Sequence, residues 1–369
     1  MRQNIQIPNV VIRPIAQKDL NLLSELLQRT EFGLTSLPKD QNFLKKRILD
    51  SEWSFQRIAE EPRGETYLFV MEDLDTRKIV GISGIVSKVG GFEPFYTFKI
   101  DSVVHESPTL KVRQEIPVLT LVAEHNGPCE IGSLFLVPAY RKAGLGRFLS
   151  LSRFLFMASH KSYFDPMVIA EMRGVIDSEG HSAFWDALGK HFFKIDFPKA
   201  DFLSILNKHF IADLMPRHPI YIPLLSAAAQ AVIGCVHENT KPALKILEEE
   251  GFHFNNMVDI FEGGPVMSCP LEQIRTVLAS VSSTVLDIVP EKRLVSEKNP
   301  KPKRYLISNN KQDFYCCLGS LEEKAGQVII SSKTALKLRL LPGDTLRYCL
   351  FPPRPLHPLP SQKSKKQKA

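Results

Sequence analysis

Residues 132–147 read Gly-Ser-Leu-Phe-Leu-Val-Pro-Ala-Tyr-Arg-Lys-Ala-Gly-Leu-Gly-Arg, and this stretch indicates how the surrounding chain folds. An apolar strand ends at Pro138, and an Arg-x-x-Gly-x-Gly turn beginning at Arg141 leads into apolar residues at helical spacing from Phe148 to Met157. Glycines let the backbone approach a ligand closely, and the free amides at a helix start attract anions. The turn is therefore a candidate pyrophosphate site, although most glycine-rich turns only bend the chain.

The elements before this turn argue against the common nucleotide-binding folds. A dinucleotide-binding turn follows the first strand of a parallel βαβ unit, and a P-loop needs a Lys-Ser or Lys-Thr pair. Here the turn follows several strands separated by polar turns, and that pair is missing. We therefore expect an α+β fold with a mixed, mostly antiparallel sheet flanked by helices. The predicted strands are 10–14, 65–72, 79–89, 95–104, 116–123 and 130–137, and the predicted helices are 20–27 and 40–49.

The second half of the chain is predicted to contain a strand at 167–172, helices near 182–193, 199–207, 242–251 and 271–279, and a strand at 252–261. The apolar stretch 223–236 is shorter than the roughly 20 residues that a bilayer demands, so we interpret it as a buried helix. From residue 270 the chain becomes rich in short strands. We predict a large α+β domain at 1–269, a small β-rich domain at 270–352 and a disordered basic tail at 353–369.

Composition limits the class of protein. The chain has 369 residues, of which 44% are hydrophobic and 24% charged, as in an ordinary globular protein of about two domains. Its six cysteines form no CxxC pair, so we predict neither a metal site nor a disulfide framework, and a reduced cytoplasmic location fits best. Residues 1–12 lack the apolar core of a secretory signal, and no membrane partner is expected.

The net charge of +7 is unevenly distributed. Residues 352–369 hold five basic and no acidic residues, and residues 291–304 hold six basic and two acidic residues. The rest of the chain therefore has a net charge of −2. Since a nucleic-acid groove through the body of the protein would need positive charge there, we expect no nucleic-acid partner.

The residues around the turn resemble the GNAT superfamily of acyl-CoA N-acyltransferases. Val137, Pro138 and the Arg-x-x-Gly-x-Gly turn match its coenzyme A signature, and a late helix ending at Gly251-Phe252 matches a second one. The resemblance implies that the turn binds the pyrophosphate of coenzyme A. The residues expected to contact the cosubstrate are Leu134, Leu136, Arg141, Lys142, Gly144, Gly146 and Arg147.

Six further segments narrow the resemblance to the bacterial arginine N-succinyltransferases. This resemblance implies direct transfer of succinyl from succinyl-CoA to the α-amino group of L-arginine, with succinyl-CoA as cosubstrate and no permanently bound cofactor. The family's proton donor matches His237, within Val-His-Glu-Asn-Thr-Lys-Pro-Ala, and its acyl-CoA contact matches Leu134. The segments are 33–38, 170–177, 184–185, 201–203, 214–221 and 259–265.

Charge complementarity suggests the substrate contacts. Two carboxylates, one on succinyl-CoA and one on arginine, are best met by guanidinium groups, for which Arg173 and Arg217 are the candidates. Arginine's own guanidinium needs acidic partners. The first candidates are Glu171 and Asp177, with Asp259, Glu262 and Glu130 also available.

Two other functions remain open from the sequence. The same fold could acylate another amine, such as ornithine, a polyamine or a protein lysine. Alternatively, the chain could bind acyl-CoA without turnover. GNAT proteins often dimerise through sheet edges, so a homodimer is also among the expectations.

Overall fold

The structure is a computed structural model that describes residues 8–29, 37–91, 93–206, 208–294 and 303–353. In these residues the strands are β1 (Val10–Pro14), β2 (Thr66–Asp73), β3 (Lys78–Val86), β4 (Phe95–Ser107), β5 (Val112–Glu124), β6 (Cys129–Leu136), β7 (Met167–Glu171), β8 (Ile220–Tyr221), β9 (His253–Asp259), β10 (Pro265–Pro270), β11 (Val281–Val289), β12 (Tyr305–Ser308), β13 (Cys316–Gly319), β14 (Leu321–Lys324), β15 (Gln327–Ser331) and β16 (Thr345–Leu350). The α-helices are α1 (Leu20–Gln28), α2 (Gln41–Gln56), α3 (Leu145–Ser159), α4 (Ala183–Ala187), α5 (Gly189–Phe193), α6 (Phe197–Leu206), α7 (His209–Leu214), α8 (Ala227–Val232), α9 (Lys241–Glu249), α10 (Arg275–Ala279), α11 (Glu291–Leu294) and α12 (Ser332–Leu338).

These strands form one continuous sheet in the order β14-β15-β11-β16-β12-β13-β1-β2-β3-β6-β7-β10-β9-β4-β5-β8. Among the described pairings only β6–β7 and β11–β15 are parallel. The predicted α+β fold with a mostly antiparallel sheet and flanking helices is therefore confirmed.

Alternating side chains of β2 separate two layers of core. Tyr67 and Phe69 pack with α3, whereas Leu68 and Val70 pack with α1 and α2 on the other face. The alternation follows from the period of two in a strand. The predicted stripe from Phe148 to Met157 is buried, so α3 is the central helix of one layer.

The prediction of a buried helix at 223–236 is wrong. Pro223 lies in a short 3-10 turn, α8 begins only after its cap Ser226, and Gly234 in a left-handed conformation follows its end. Most of the stretch is exposed, and Leu224 is 82% exposed. The apolar run therefore covers the surface of the neighbouring helix α4 in one short helix instead of passing through the core.

The predicted helix at 271–279 is divided. A 3-10 turn at Leu271–Gln273 is separated from α10 by Ile274, whose extended backbone breaks the helical hydrogen bonding. The apolar spacing predicted which side of this segment is buried. It did not predict the break, because a buried Ile274 is expected both in a continuous helix and in the divided one.

The C-terminal strands extend the same sheet. β13 pairs with β1 at Ile12 and Cys316, and Leu306, Phe314 and Phe351 belong to the main core. A separate small core surrounds α12. The division at residue 270 stays a prediction. Residues 354–369 of the basic tail, 295–302 of the basic linker and 33–36 of one motif lie outside the described residues. Within the described ranges, no helix has both the length and the apolar character needed to cross a bilayer.

Candidate acyl-CoA and amine site

The parallel strands β6 and β7 separate from each other. They pair only at Cys129 with Val168 and at Glu130 with Ile169, yet β6 continues to Leu136 and β7 to Glu171. A cleft therefore opens between the carboxyl halves of the two strands. Along the cleft, the edge of β6 that faces β7 has no strand partner in the described structure.

Backbone alternation directs amides of β6 into this cleft. Val137 donates its N–H to the carbonyl of Val80 on β3, so the N–H groups of Leu136 and, two residues earlier, Leu134 point to the opposite edge. Both leucines were predicted contacts of the cosubstrate. A bulge lies just before them, at Ser133, whose φ is 51°.

A buried arginine supports the bulge, and sequence reasoning missed it. Arg153 on α3 is 2% exposed and donates to the carbonyls of Gly132 (3.3 Å) and Gly84 (3.5 Å), which flank the bulge. Burial lowers its pKa to about 10. The extra residue in β6 interrupts the hydrogen bonding between β6 and β3, and the guanidinium group donates hydrogen bonds to the carbonyls at that point.

The glycine turn ends at the start of α3. Ala143 and Gly144 both have positive φ, 54° and 81°, which turns the chain into the helix. In the described structure the amides of Gly146 and Arg147 make no backbone hydrogen bond, as expected for the first turn of a helix. The predicted anion site therefore has free N–H groups and the positive end of a 15-residue helix.

The three cations of the turn differ in their surroundings. Arg141 donates from Nε to the carbonyl of Leu136 (2.9 Å) and lies over the ring of Phe135, so it braces the turn. Arg147 forms an ion pair with Glu249 of α9 (2.5 Å). Lys142 is exposed. Lys142 is therefore the cation with the most freedom to meet a phosphate.

The C-terminal strands contribute to the turn, which the sequence did not suggest. The ring of Phe351 lies 3.3 Å from where a side chain on Gly144 would begin, so only glycine fits there without a shift. Arg304 donates to the carbonyl of Ala143 (3.4 Å), and its own carbonyl accepts from the N–H of Phe351 (2.8 Å). Burial lowers the pKa of Arg304.

His237 precedes the helix α9 and is tied to β7. Its N–H donates to the carbonyl of Arg173 (2.9 Å), the residue two positions beyond the end of β7. Its ring Nδ1 accepts the N–H of Asn239 (3.2 Å), which favours the neutral tautomer with the proton on Nε2. Burial and the positive charge of Arg173 lower the pKa of His237, so the ring is neutral at pH 7.

Five carboxyl groups from five elements surround the start of the cleft, and we call them the carboxyl cluster. Glu130 on β6 is aligned with Ile169, two residues before Glu171, so both side chains lie on one face of the sheet. Four of the five carboxyl groups are half-buried, so a ligand can reach them, and Glu262 is buried. The members are Glu130, Glu171, Asp201 of α6, Asp259 at the end of β9 and Glu262 in the β9–β10 turn.

Burial raises the pKa of every carboxyl in the cluster. It raises the pKa of Asp259 to about 6, that of Asp201 to about 7 and that of Glu262 to about 8, and mutual repulsion adds to the last two. The pKa of Glu171 is raised well above its usual range, first by burial and then by Glu130. Burial is the largest cause in every case, and repulsion between the carboxyls adds to it at Glu171, Asp201 and Glu262.

Three cations lie near the cluster. Arg173 places its Nε 3.6 Å from Glu262 Oε1, while Lys208 and Arg47 act on Glu130 from farther away. Three cations against five carboxyls leave an excess of acid that a cationic ligand can neutralise. Sequence reasoning singled out Arg173, Glu130, Glu171, Asp259 and Glu262, but it missed Asp201 and Lys208.

Two predicted substrate residues are not brought into this cluster. Asp177 is exposed and its carboxylate accepts the N–H groups of Glu179 (2.9 Å) and His181 (2.8 Å), which lowers its pKa. Arg217 is exposed between α7 and β8. Their roles as substrate contacts stay predictions.

Comparison with known proteins identifies the family of the chain. A family model described as arginine N-succinyltransferase beta subunit matches residues 10–276. The chain is 40% identical over 344 residues to arginine N-succinyltransferase of Citrobacter koseri, covering 92% of this chain and 96% of the relative. It is 41% identical over 347 residues to the protein of the same name from Salmonella paratyphi B, covering 91% and 96%.

A solved structure matches as well. The arginine/ornithine succinyltransferase subunit AI from Pseudomonas aeruginosa has a TM-score of 0.83 and 34% identity, over 92% of this chain and 98% of that one. The predicted GNAT-like fold is thereby confirmed. Since the family model covers most of the chain and relatives at 40% identity extend over nearly all of it, the chain belongs to the arginine N-succinyltransferase family of acyl-CoA-dependent N-acyltransferases.

Proposed function

We propose that the chain transfers the succinyl group of succinyl-CoA to the α-amino group of L-arginine. The observation that carries this proposal is the carboxyl cluster at the start of the cleft between β6 and β7. A half-buried site with five carboxyls and three cations suits a substrate that brings a guanidinium group.

Succinyl-CoA would occupy the turn and the cleft. The free amides of Gly146 and Arg147 and the end of α3 meet the pyrophosphate, with Lys142 as the mobile cation. The cleft-facing amides of Leu134 and Leu136 are placed to bind the thioester arm and to stabilise the oxyanion formed during attack.

Arginine would bind with its guanidinium in the carboxyl cluster. Glu171 at the end of β7, Asp259 at the end of β9 and Glu262 in the β9–β10 turn supply charge-complementary partners. Arg173, at the edge of the cluster, can meet a carboxylate of arginine or of the succinyl group. This orientation leaves the α-amino group toward the cleft, where the thioester lies.

Three proton movements accompany the reaction. The α-ammonium first loses a proton, for which the carboxyls with raised pKa are suitable acceptors. The amine attacks the thioester carbon and the C–S bond breaks. His237 takes the proton that the attacking nitrogen loses, and the imidazolium so formed passes a proton to the departing thiolate. Because its pKa is lowered, its charged form is a stronger acid than a thiol of pKa about 8.5.

The test is a thiol-release assay on the purified chain. Succinyl-CoA and acetyl-CoA are each paired with arginine, ornithine, lysine or no acceptor. We expect release with succinyl-CoA and arginine. Thiol release with acetyl-CoA and a different amine would agree with an acyltransferase but would contradict this substrate assignment. No release with any pair would favour the binding-protein alternative.

Ornithine is the second acceptor to consider, because the Pseudomonas aeruginosa relative is named an arginine/ornithine succinyltransferase. The carboxyl cluster can also neutralise an ammonium group. The ratio of kcat/KM for the two acceptors in the same assay decides between them.

A further inference from the structure

Arg47 on α2 carries a guanidinium group whose hydrogen bonds are mostly unmade. Its Nη1 donates to the hydroxyl of Thr66 at the start of β2 (3.3 Å), and its Nε is enclosed by protein without a hydrogen-bond partner. In the described structure no carboxylate lies within ion-pair distance of it. Because a guanidinium has five N–H donors, Arg47 has most of its hydrogen-bonding capacity left over.

Arg47 lies on the face of the sheet that carries Glu130. Its partner Thr66 pairs with Val86 on β3, and Val86 pairs with Glu130 on β6. Residues directly opposite each other in neighbouring strands point to the same face, so Thr66 and Glu130 lie on one side of the sheet, about 10 Å apart. Burial raises the pKa of Glu130, and the charges of Lys208 and Arg47 oppose that rise.

An acid beside a cation is the arrangement that the head group of an α-amino acid requires. The α-ammonium and the α-carboxylate are bonded to the same carbon, so their receptors must lie close together. Glu130 supplies a carboxyl group for the first and Arg47 a planar fork for the second, and both are half-buried, so a ligand can reach them. The guanidinium of the substrate is then left to Glu171, Asp259 and Glu262.

Lys208 is the other cation that acts on Glu130, but it suits a carboxylate less well. Its ammonium group lies over the ring of Phe95, 5.7 Å from the ring centre, where a cation is already stabilised. An ammonium is also a point charge, whereas a guanidinium meets both oxygens of a carboxylate at once. Arg47 is therefore the better carboxylate receptor of the two.

We propose that Arg47 binds the α-carboxylate of the amino-acid acceptor and so selects α-amino acids over amines that lack this group. The proposal rests on the transfer to an amino acid put forward under the proposed function. It leaves Arg173, beside Glu262, for the terminal carboxylate of the succinyl group.

The experiment compares L-arginine with L-argininamide, which keeps the α-amino group and the guanidinium but replaces the α-carboxylate by a neutral carboxamide. Thiol release from succinyl-CoA gives kcat/KM for both acceptors. In Arg47→Gln, kcat/KM for arginine should fall about 20-fold, because a charge-assisted contact is lost, while kcat/KM for argininamide changes less than about threefold. The lower basicity of the amide's α-amino group affects wild type and variant alike.

Three further variants show whether the effect belongs to the carboxylate. Arg47→Lys should restore part of the preference for arginine, since it keeps the charge without the fork. Lys46→Gln is the matched control, because it removes the same charge from the exposed neighbouring residue of α2. Lys208→Gln removes the other cation that acts on Glu130. Both glutamine controls should keep the wild-type ratio of kcat/KM for arginine to that for argininamide.

Calorimetric titration of the complex with coenzyme A measures acceptor binding without turnover, so it separates this proposal from the proposed reaction. Tighter binding of arginine than of argininamide, with the difference lost in R47Q, supports the subsite even if no thiol is released. Circular dichroism checks that each variant is folded.

Four results would overturn the proposal. Wild-type protein that binds both acceptors equally, or neither, would exclude a carboxylate receptor. An equal loss for both acceptors in R47Q and R47K would mean that Arg47 only supports the fold. A ratio that changes in K208Q but not in R47Q would assign the carboxylate to Lys208. A raised KM for succinyl-CoA in R47Q, with an unchanged ratio, would assign Arg47 to the succinyl group.

Discussion

The protonation state of the Glu262 carboxyl group can be used to follow ligand binding at the carboxyl cluster. It is 7% exposed, accepts the N–H of Gly174 (2.7 Å) and lies near Arg173, yet its pKa is raised to about 8. Burial is the main cause, and the charge of Asp259 adds to it. At neutral pH the free protein therefore holds this proton.

We predict that arginine binding releases protons. A bound guanidinium favours the charged carboxylates, so the pKa values of Glu262 and Asp201 fall below pH 7 and the affinity for arginine rises from pH 6 to pH 8. Calorimetry in buffers of different ionisation enthalpy should detect the release, and Glu262→Gln should reduce it. Proton uptake, or affinity that falls over this range, would contradict the assignment.

His237 is predicted to contribute to the chemical step. Replacing it by Ala removes the proton donor to the thiolate, so kcat should fall at least about 100-fold with little change in either KM. Steady-state thiol release measures this. His125→Ala, at an exposed histidine in the turn before β6, should leave the rate within twofold. A raised KM with an unchanged kcat would indicate a positioning role for His237.

At the scale of elements, a buried ion pair joins α9 to α10. Glu250 is 0% exposed and accepts from Arg275 Nη2 (2.7 Å) and from the N–H of Thr276 (2.7 Å). The pair lies at the end of α9, the helix that follows His237. It fixes the helix against the α3 layer through α10.

Glu250→Ala should reduce the free energy of unfolding by about 3–5 kcal/mol, because it leaves the charge of Arg275 buried without its main partner. Urea unfolding measures the difference. Glu248→Ala, at an exposed position on the same helix, is the control and should change it by less than about 0.5 kcal/mol. A loss below about 1 kcal/mol would mean that the pair contributes little.

Across the whole chain, the C-terminal strands hold the Arg-x-x-Gly-x-Gly turn at residues 141–146. Phe351 lies against Gly144 and Arg304 against Ala143, although these residues are more than 150 positions apart in the chain. Arg304 makes no ion pair with a carboxylate in the described structure. Its guanidinium lies at the turn whose amides are placed to meet a pyrophosphate.

Arg304→Gln should therefore raise the KM for succinyl-CoA about fivefold, since a charge-assisted contact is lost, while the KM for arginine is unchanged. Lys303→Gln removes the same charge from the adjacent exposed residue and should have no effect. Equal changes in KM for both variants would mean that the effect comes from the loss of net charge alone. No change in R304Q would confine the C-terminal strands to a structural role.

Much of the architecture could be predicted from local sequence. The glycine turn, the strands around it and the helix α3 are contiguous segments whose periodicity and glycines directly constrain the backbone. The stretch 223–236 was misread because apolar composition alone does not tell which surface a helix covers, and Pro223 and Ser226 limited the helix that formed.

The fold family and the glycine turn could be recognised from the amino-acid sequence alone, because residues 137–147 act through their own backbone. The three-dimensional arrangement, in contrast, was needed to show which carboxyls form the cluster and that Arg304 reaches the turn. Asp177 has the same charge as Asp201, but the packing of α6 against the end of β9 brings Asp201 to the cluster, whereas Asp177 lies in solvent. Contacts between distant segments depend on how the sheet is assembled, and spacing along the chain does not encode that assembly.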